Sequence, residues 1–198
     1  VPKGRQEEVR NDLLAGKSPA GLEPVQARGG NLYFRTRAGA EGLFSKTNPG
    51  NTAWAKTTFY APKAGTMYAM VGFDAPARST RRCSGVPAAG EWSQCGTRIW
   101  VNGKEVKNPQ TYKLAGQRRY EKHTWNSPDN EISFDNEEFW WARPPIPFQV
   151  KAGENTILIE QPYTGNFQSW GVSFIPVKKS GDRWIADPSY YLKNKGEK

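Results

Sequence analysis

Short apolar runs separated by glycine, proline and asparagine recur along the chain from residue 31 onward. In residues 66–74, alternate positions carry one set of apolar side chains: Met67, Ala69, Val71 and Phe73. A period of two places these side chains on one face of a β-strand, which can then be buried. The same kind of pattern predicts strands over 31–36, 53–60, 66–74, 146–150, 156–159 and 170–177.

Two turn sequences connect apolar runs. Asn102-Gly103 lies between apolar flanks within residues 98–106. Because Asn and Gly both tolerate positive φ, this dipeptide predicts a two-residue hairpin with a type I′ turn. The polar, glycine-containing residues 151–155 join two apolar runs and predict two antiparallel strands with a turn between them.

The N-terminal part of the chain does not follow this strand pattern. Residues 1–28 are polar, and the spacing of Val9 and Leu13 predicts a short helix from Gln6 to Leu14. A helix of this length is unstable alone, so we expect it to pack on the rest of the protein. The predicted organisation is an N-terminal connector, a β-sandwich domain and a charged C-terminal tail: 1–28, 29–178 and 179–198.

The composition agrees with an all-β class. Aromatic residues make up 13% of the chain, and it contains 20 Gly and 15 Pro, which is typical of strands joined by many turns. Seven or eight short strands at this spacing predict an antiparallel β-sandwich of jelly-roll type, with an immunoglobulin-like sandwich as the alternative. No apolar run approaches the roughly 20 residues of a membrane-spanning helix.

The basic charge does not predict a nucleic-acid partner. The formal net charge is +9, but the basic residues are dispersed and never form a run of five. No helix-turn-helix, zinc-finger or RNA-binding sheet signature occurs. A solvated basic surface is the interpretation that this distribution favours.

The two cysteines, Cys83 and Cys95, are too far apart for a redox CxxC motif, and no second pair is present for zinc. The spacing fits either a disulfide that closes the loop between them or two free thiols. A disulfide would imply an oxidising compartment.

No catalytic constellation emerges from the sequence. The single histidine, His123, lies in a polar stretch, and no nucleophile elbow or phosphate loop is present. Asp135, Glu137 and Glu138 form the best carboxylate cluster. Being neighbours in a predicted loop, they suit a solvated acidic turn or a calcium contact better than the opposed acid/base pair of a glycosidase. We therefore predict no catalytic residue and no required cofactor.

Aromatic residues in predicted loops are the more suggestive feature. An exposed indole offers a flat face for the C–H face of a sugar ring, and nearby polar side chains can bind its hydroxyls. The alternative is that such a tryptophan faces the core or plugs the end of the sandwich. The candidate carbohydrate contacts are Trp92, Trp125, Glu138, Trp140, Trp141, Arg143 and Phe167.

Several segments, taken in order, resemble a known family. They are 53–62 (AWAKTTFYAP), 98–103 (RIWVNG), 142–147 (ARPPIP), 151–159 (KAGENTILI) and 172–177 (VSFIPV). Together they look like the C-terminal β-sandwich of bacterial glycoside hydrolase family 20 enzymes, the β-N-acetylhexosaminidases. The resemblance implies a galactose-binding-like accessory domain and a parent enzyme that acts on glycans in the periplasm or outside the cell.

The resemblance carries over no catalytic residue. The family's catalytic Asp-Glu dipeptide lies in a separate barrel domain, and no such dipeptide occurs here. The leading hypothesis is a non-catalytic module that binds an N-acetylhexosamine-containing glycan or braces an adjacent catalytic domain. The alternative is a purely structural or protein-interaction sandwich, and a third reading is a free-standing enzyme that uses the cluster at 135–138.

Overall fold

A computed structural model of the chain describes residues 1–27, 29–35, 42–44, 47–73, 88–93, 95–109, 145–163 and 170–190. Within these residues the protein has one helix, α1 (Gln6–Leu14), and nine strands. The strands are β1 (Asn31–Arg35), β2 (Thr52–Ala61), β3 (Gly65–Phe73), β4 (Arg98–Val101), β5 (Lys104–Val106), β6 (Ile146–Val150), β7 (Gly153–Pro162), β8 (Trp170–Ser180) and β9 (Arg183–Ala186).

The strands form two antiparallel sheets. Sheet I has the order β1-β8-β3-β6, and β9 pairs with the end of β8; sheet II has the order β2-β7-β4-β5. Apolar side chains from both sheets enter one shared core, which is the arrangement of a β-sandwich. The predicted all-β antiparallel sandwich is confirmed, while the jelly-roll type stays a prediction.

The core follows the period-two pattern of the sequence. On β3 the buried positions are those predicted, and the outward Tyr68 between them is exposed. Across the core, β4 and β7 of sheet II contribute their own buried rows. Each fully buried Val, Ile, Met or Phe side chain in these rows stabilises the fold by about 1.5–3 kcal/mol relative to leaving it in water. The facing rows are Met67, Ala69, Val71 and Phe73 in sheet I and Ile99, Val101, Ile157 and Ile159 in sheet II.

The strands on either side of residues 151–155 are present, but they are not partners of each other. β6 pairs with β3 in sheet I, whereas β7 pairs with β2 and β4 in sheet II. Both strands carry a row of buried apolar side chains, such as Phe148 and Ile157. These rows meet face to face across the core, so the turn at 151–152 carries the chain from one sheet to the other.

The predicted Asn102-Gly103 hairpin is confirmed. It joins β4 to β5, and its two turn residues have φ values of 52° and 79°, as a type I′ turn requires. The Asn102 side chain also accepts a hydrogen bond from the Thr156 backbone amide at 3.0 Å. The hairpin is thereby fixed to β7.

Asn155 links this hairpin to the turn between the sheets. Its side chain is 0% exposed; its Nδ2 donates to the carbonyls of Lys151 (2.8 Å) and Gly153 (2.9 Å). Its Oδ1 accepts from the Lys151 amide (3.0 Å) and from Asn102 Nδ2 (2.8 Å). All four hydrogen bonds expected of a buried amide side chain are made.

We predict that Asn155→Ala lowers the free energy of unfolding by about 2–3 kcal/mol, because it leaves several buried polar groups without partners. Urea unfolding followed by tryptophan fluorescence measures this change. The control is Gln149→Ala, which removes one exposed hydrogen bond to Thr66 and should cost less than about 0.5 kcal/mol. Equal effects of the two substitutions would contradict the role assigned to Asn155.

Helix α1 has the predicted bounds and packs on the protein as expected. Val9 is buried, and Lys56 Nζ on β2 donates to the Leu13 carbonyl at 2.9 Å. The helix therefore lies on the outer face of sheet II.

In the described part of the chain, no helix is long and apolar enough to cross a membrane.

The first part of the predicted C-terminal tail belongs to the sheet. β8 continues past residue 178 to Ser180, and β9 then pairs with it through Lys178 and Lys179. The polar side chains of this hairpin concealed its strands, because the segment extends beyond the core and needs no apolar row.

Candidate functional site

The two ends of the sandwich differ in the connections between strands. At one end the strands are joined by the short turns 62–64, 102–103, 151–152 and 181–182. At the opposite end the chain leaves β1, β3, β5 and β7, and the next described strand begins only after residues 36–51, 74–97, 107–145 and 163–169. We call this second end the long-loop end. Loops carried on a rigid sandwich are where binding residues concentrate, so this end is the first candidate site.

An aromatic cluster closes the described part of the long-loop end. The rings of Tyr163 and Trp170 are stacked, with centroids 4.9 Å apart, and Phe34 packs edge-on against Trp170 at 5.2 Å. All three side chains are buried. The half-buried Arg35 donates a hydrogen bond to the Tyr163 hydroxyl, and its guanidinium lies 5.5 Å from that ring's centroid. The arginine thus places a charged donor group where the apolar cluster ends.

A buried polar cluster lies beside these rings. Gln161 is 0% exposed, and its Oε1 accepts a hydrogen bond of 2.6 Å from the Thr97 hydroxyl, which also bonds to Ser93 Oγ at 2.6 Å. The Gln161 Nε2 is buried and has no partner within the described residues. A buried donor of this kind is normally paired with an ordered water or a ligand oxygen.

Trp92, the one predicted sugar contact within the described residues, is a core residue. Its side chain is 3% exposed; its ring is stacked on Phe148 with centroids 5.9 Å apart, and Phe73 packs against it edge-on. Its Nε1 donates to the Val106 carbonyl at 2.8 Å. A sugar cannot stack on a covered ring. The structure therefore corrects the prediction that Trp92 contacts a sugar. Trp92 closes the sandwich, which was the alternative interpretation of the loop tryptophans.

The other predicted contacts lie outside the described residues, and their roles stay predictions. They are Trp125, Glu138, Trp140, Trp141, Arg143 and Phe167. The same holds for His123, Asp135 and Glu137.

Cys95 is disulfide-bonded. Cys83, which is the chain's only other cysteine, lies outside the described residues. Of the two alternatives left open by the sequence, the bonded one is the one that the structure supports.

A second cluster, missed by the sequence analysis, occupies the outer face of sheet II. Trp54 on β2 is paired in register with Glu160 on β7, which is paired with Arg98 on β4. Trp100 lies in the next outward row of β4, and its ring centroid is 6.2 Å from that of Trp54. Period-two alternation would have placed the two tryptophans on this face, but it could not show that they meet, because the strand order was unknown.

Arg10 of α1 lies over this face. Its guanidinium makes a two-pronged ion pair with Glu160, with Nε and NH2 3.0 and 2.9 Å from the carboxylate oxygens. It is also 6.0 and 5.9 Å from the ring centroids of Trp54 and Trp100. We call Arg10, Trp54, Trp100 and Glu160 the arginine site.

The ion pairs continue across sheet II with alternating charge. Arg98 lies 4.0 Å from Glu160 and makes a two-pronged pair with Glu105 at 3.1 and 2.5 Å. Lys107 Nζ also donates to the Glu105 carboxylate, at 3.0 Å. The hydrogen bonds from Arg98, together with the one from Lys107, lower the pKa of Glu105 from 4.5 to about 2. The Glu105 carboxylate correspondingly raises the pKa of Arg98.

A metal site is not part of this arrangement. Among the residues that the structure describes, no group of three or more His, Cys, Asp or Glu is placed to hold a metal ion.

Comparison with known proteins gives no relative. No protein-family model matches the chain, and no curated protein or solved structure matches it. The resemblance to the family 20 accessory domain stays a prediction from the sequence.

We predict that Glu105→Gln lowers the free energy of unfolding by about 1 kcal/mol at neutral pH, because it removes the ion pairs with Arg98 and Lys107. This value is at the upper end of the range for a partly exposed pair. The folded-state pKa lies below 4.5, so this stabilisation is present above pH 4.5 and is lost as the pH falls toward about 2. Urea unfolding of both proteins across this range measures the difference.

The control for this prediction is Glu154→Gln, which changes an exposed carboxylate on β7. Protonation of Glu105 must abolish the ion pair. The assignment would therefore be contradicted if the free energy of unfolding of the wild type exceeded that of Glu105→Gln by the same amount down to about pH 2.

Proposed function

We propose that this chain is a non-catalytic accessory module of a β-N-acetylhexosaminidase-like glycoside hydrolase, and that it binds carbohydrate at the long-loop end. The observation that carries the proposal is the difference between the two ends of the sandwich. Short turns close one end, while the described strands that precede residues 36–51, 74–97, 107–145 and 163–169 all end at the other. Binding sites on β-sandwiches are commonly built from such a cluster of loops.

The chemistry of the long-loop end supports a sugar ligand. Five of the predicted contacts belong to the connection 107–145, and Phe167 belongs to 163–169. Indole rings suit the apolar faces of a pyranose, whereas the guanidinium of the half-buried Arg35 is a donor of the type that binds hydroxyl and acetamido oxygens. The proposed ligand is an N-acetylhexosamine-containing oligosaccharide.

The proposed setting is the periplasm or the extracellular space. The bonded state of Cys95 supports an oxidising compartment. The adjacent catalytic domain of a parent enzyme would perform hydrolysis, and the module would hold the substrate near it or brace its fold.

We expect the double substitution Trp140→Ala, Trp141→Ala to weaken binding of N-acetylhexosamine oligosaccharides by at least about tenfold, because loss of ring stacking removes on the order of 1.4 kcal/mol. Isothermal titration calorimetry on the full chain measures this. The matched control is Trp184→Ala on β9, away from the long-loop end, which should leave the affinity unchanged.

The melting temperature of the double variant separates binding from packing. An unchanged melting temperature with lost affinity supports the sugar contact. A melting temperature lowered by several degrees without an effect on affinity would show that these tryptophans plug the sandwich, and it would overturn the assigned site.

A second candidate function is bracing through a protein interface, and the outer face of sheet I favours it. Tyr68 is 41% exposed, its ring lies 5.3 Å from that of Trp184, and Lys179 Nζ lies 5.9 Å from the Trp184 ring centroid. Tyr33 is also exposed on this sheet. Aromatic side chains clustered on an exposed face are typical of interaction surfaces.

Deleting the module from the proposed parent enzyme separates the two functions. Lost solubility with unchanged turnover of small substrates indicates bracing, whereas lost affinity for polymeric substrate alone indicates glycan binding. We expect the isolated chain to show no turnover of a chromogenic N-acetylhexosaminide. Turnover that depends on Glu137 or Glu138 would instead establish an enzyme.

A further inference from the structure

A β-bulge in β1 places Arg35 at the long-loop end of the sandwich. Tyr33 is paired in register with Gly171, and the next pair is Arg35 with Trp170. The register therefore shifts by one residue between Tyr33 and Arg35. Bulges re-aim side chains and are over-represented next to active sites. Unbroken alternation would have put Arg35 on the outer face with Tyr33, but its guanidinium lies instead beside the Tyr163 ring.

The backbone of this bulge is held on its other side by residues 42–44. The Phe44 amide donates to the Phe34 carbonyl at 3.1 Å, and the two rings are stacked with centroids 5.8 Å apart. A Cβ atom at Gly42 would lie only 2.6 Å from the Phe34 carbonyl oxygen and 2.7 Å from the Arg35 Cα. Glycine is the residue that permits so close an approach. Arg35 is thereby presented by a tightly packed backbone.

The Arg35 guanidinium has no carboxylate partner within the described residues. The other partly buried arginines in that part of the chain each pair with a glutamate; they are Arg5, Arg10 and Arg98. Arg35 instead donates one hydrogen bond, from NH1, to the Tyr163 hydroxyl. An arginine stays protonated in proteins and has further donors on Nε and NH2. A full positive charge is therefore left without a counter-ion among the described residues.

A forked pair of donors beside an aromatic ring matches an anionic group on a sugar. The Nε and NH2 donors of a guanidinium lie in one plane and can hold two oxygens of a carboxylate or a sulfate at once. Such charge-assisted hydrogen bonds are roughly twice as strong as those to a neutral hydroxyl or acetamido oxygen. The formal net charge of +9 also attracts anionic ligands toward the protein.

We propose that Arg35 determines the specificity of the long-loop end, and that the ligand bound there is an acidic glycan. Such a glycan carries a carboxylate or a sulfate next to an N-acetylhexosamine. Tyr163 is a positioning residue, because its hydroxyl and its ring together orient the guanidinium. The inference rests on the proposed carbohydrate function and adds a negative charge to the ligand.

The test compares two matched tetrasaccharides by isothermal titration calorimetry on the full chain. One alternates N-acetylglucosamine with glucuronic acid, and the other contains N-acetylglucosamine alone. The wild type should bind the acidic one at least about tenfold more tightly, a difference of about 1.4 kcal/mol, because it gains the charge-assisted contacts. In Arg35→Gln this preference should fall to about twofold or less, since a neutral amide gains little from the ligand's charge.

The matched control is Arg183→Gln, which removes the same charge from an exposed arginine next to the turn 181–182, at the opposite end of the sandwich. It should leave the preference unchanged, which separates a specific contact from the general attraction of a basic protein. Arg35→Lys keeps the charge but loses the fork, so it should retain only part of the preference. A preference equal to that of the wild type would overturn the two-pronged contact.

Melting temperatures establish that each variant is folded. If Arg35→Gln fails to fold, Tyr163→Phe replaces it, because this change keeps the ring and releases the guanidinium from its hydroxyl partner. The preference for the acidic tetrasaccharide should then fall while the affinity for the neutral one is kept. A further tetrasaccharide, N-acetylglucosamine with sulfate esters, distinguishes the two anions: tighter binding of the sulfated form assigns a sulfated sugar, and tighter binding of the carboxylate form assigns a uronic acid.

The outcomes separate the inference from the function on which it rests. Equal binding of the acidic and neutral tetrasaccharides by the wild type would overturn the inference and leave the proposed function intact. An acidic preference that survives Arg35→Gln would overturn it as well. Binding of none of these sugars would overturn the proposed function together with the inference. Equally tight binding of an oligogalacturonate, which lacks N-acetylhexosamine, would support recognition of charge by Arg35 and show that the proposed sugar is wrong.

Discussion

Apolar rows on the inner faces of the two sheets meet in a single core, and the rest of the structure depends on that contact. Met67 and Ile157 represent these rows, each buried completely or nearly so. The chain crosses repeatedly from one sheet to the other, so strands that are distant in sequence contribute to the same core. Burial of apolar surface is the dominant favourable term in folding, and here it fixes which side of every strand remains for other chemistry.

The polar interactions then act at defined places around that core. Asn155 ties the turn between the sheets to the β4–β5 hairpin, whereas Glu160 ties α1 to sheet II. In both cases a buried polar group is tolerated because hydrogen-bond partners satisfy it.

The sequence predicted the elements far better than the site. Alternation identified the strands that line the core, and Asn102-Gly103 identified its turn, because these signals are local. Trp92 was misjudged because its glycine-rich surroundings resemble an exposed loop, yet its ring is stacked on Phe148 across the core. The arginine site was missed because Arg10 and Glu160 are far apart in sequence, and neither has a local pattern that points to the other.

The sequence by itself determined the class of the fold: which segments are strands, which face of each is apolar and where the tightest turn lies. These properties follow from side-chain chemistry and backbone preference over a few residues. Only the tertiary structure decided that β6 and β7 lie in different sheets, that Trp92 is covered and that Arg10 lies over Trp54 and Trp100. Those outcomes depend on strand order and sheet packing, which minimise exposed apolar surface over the whole chain and are not encoded in any one segment.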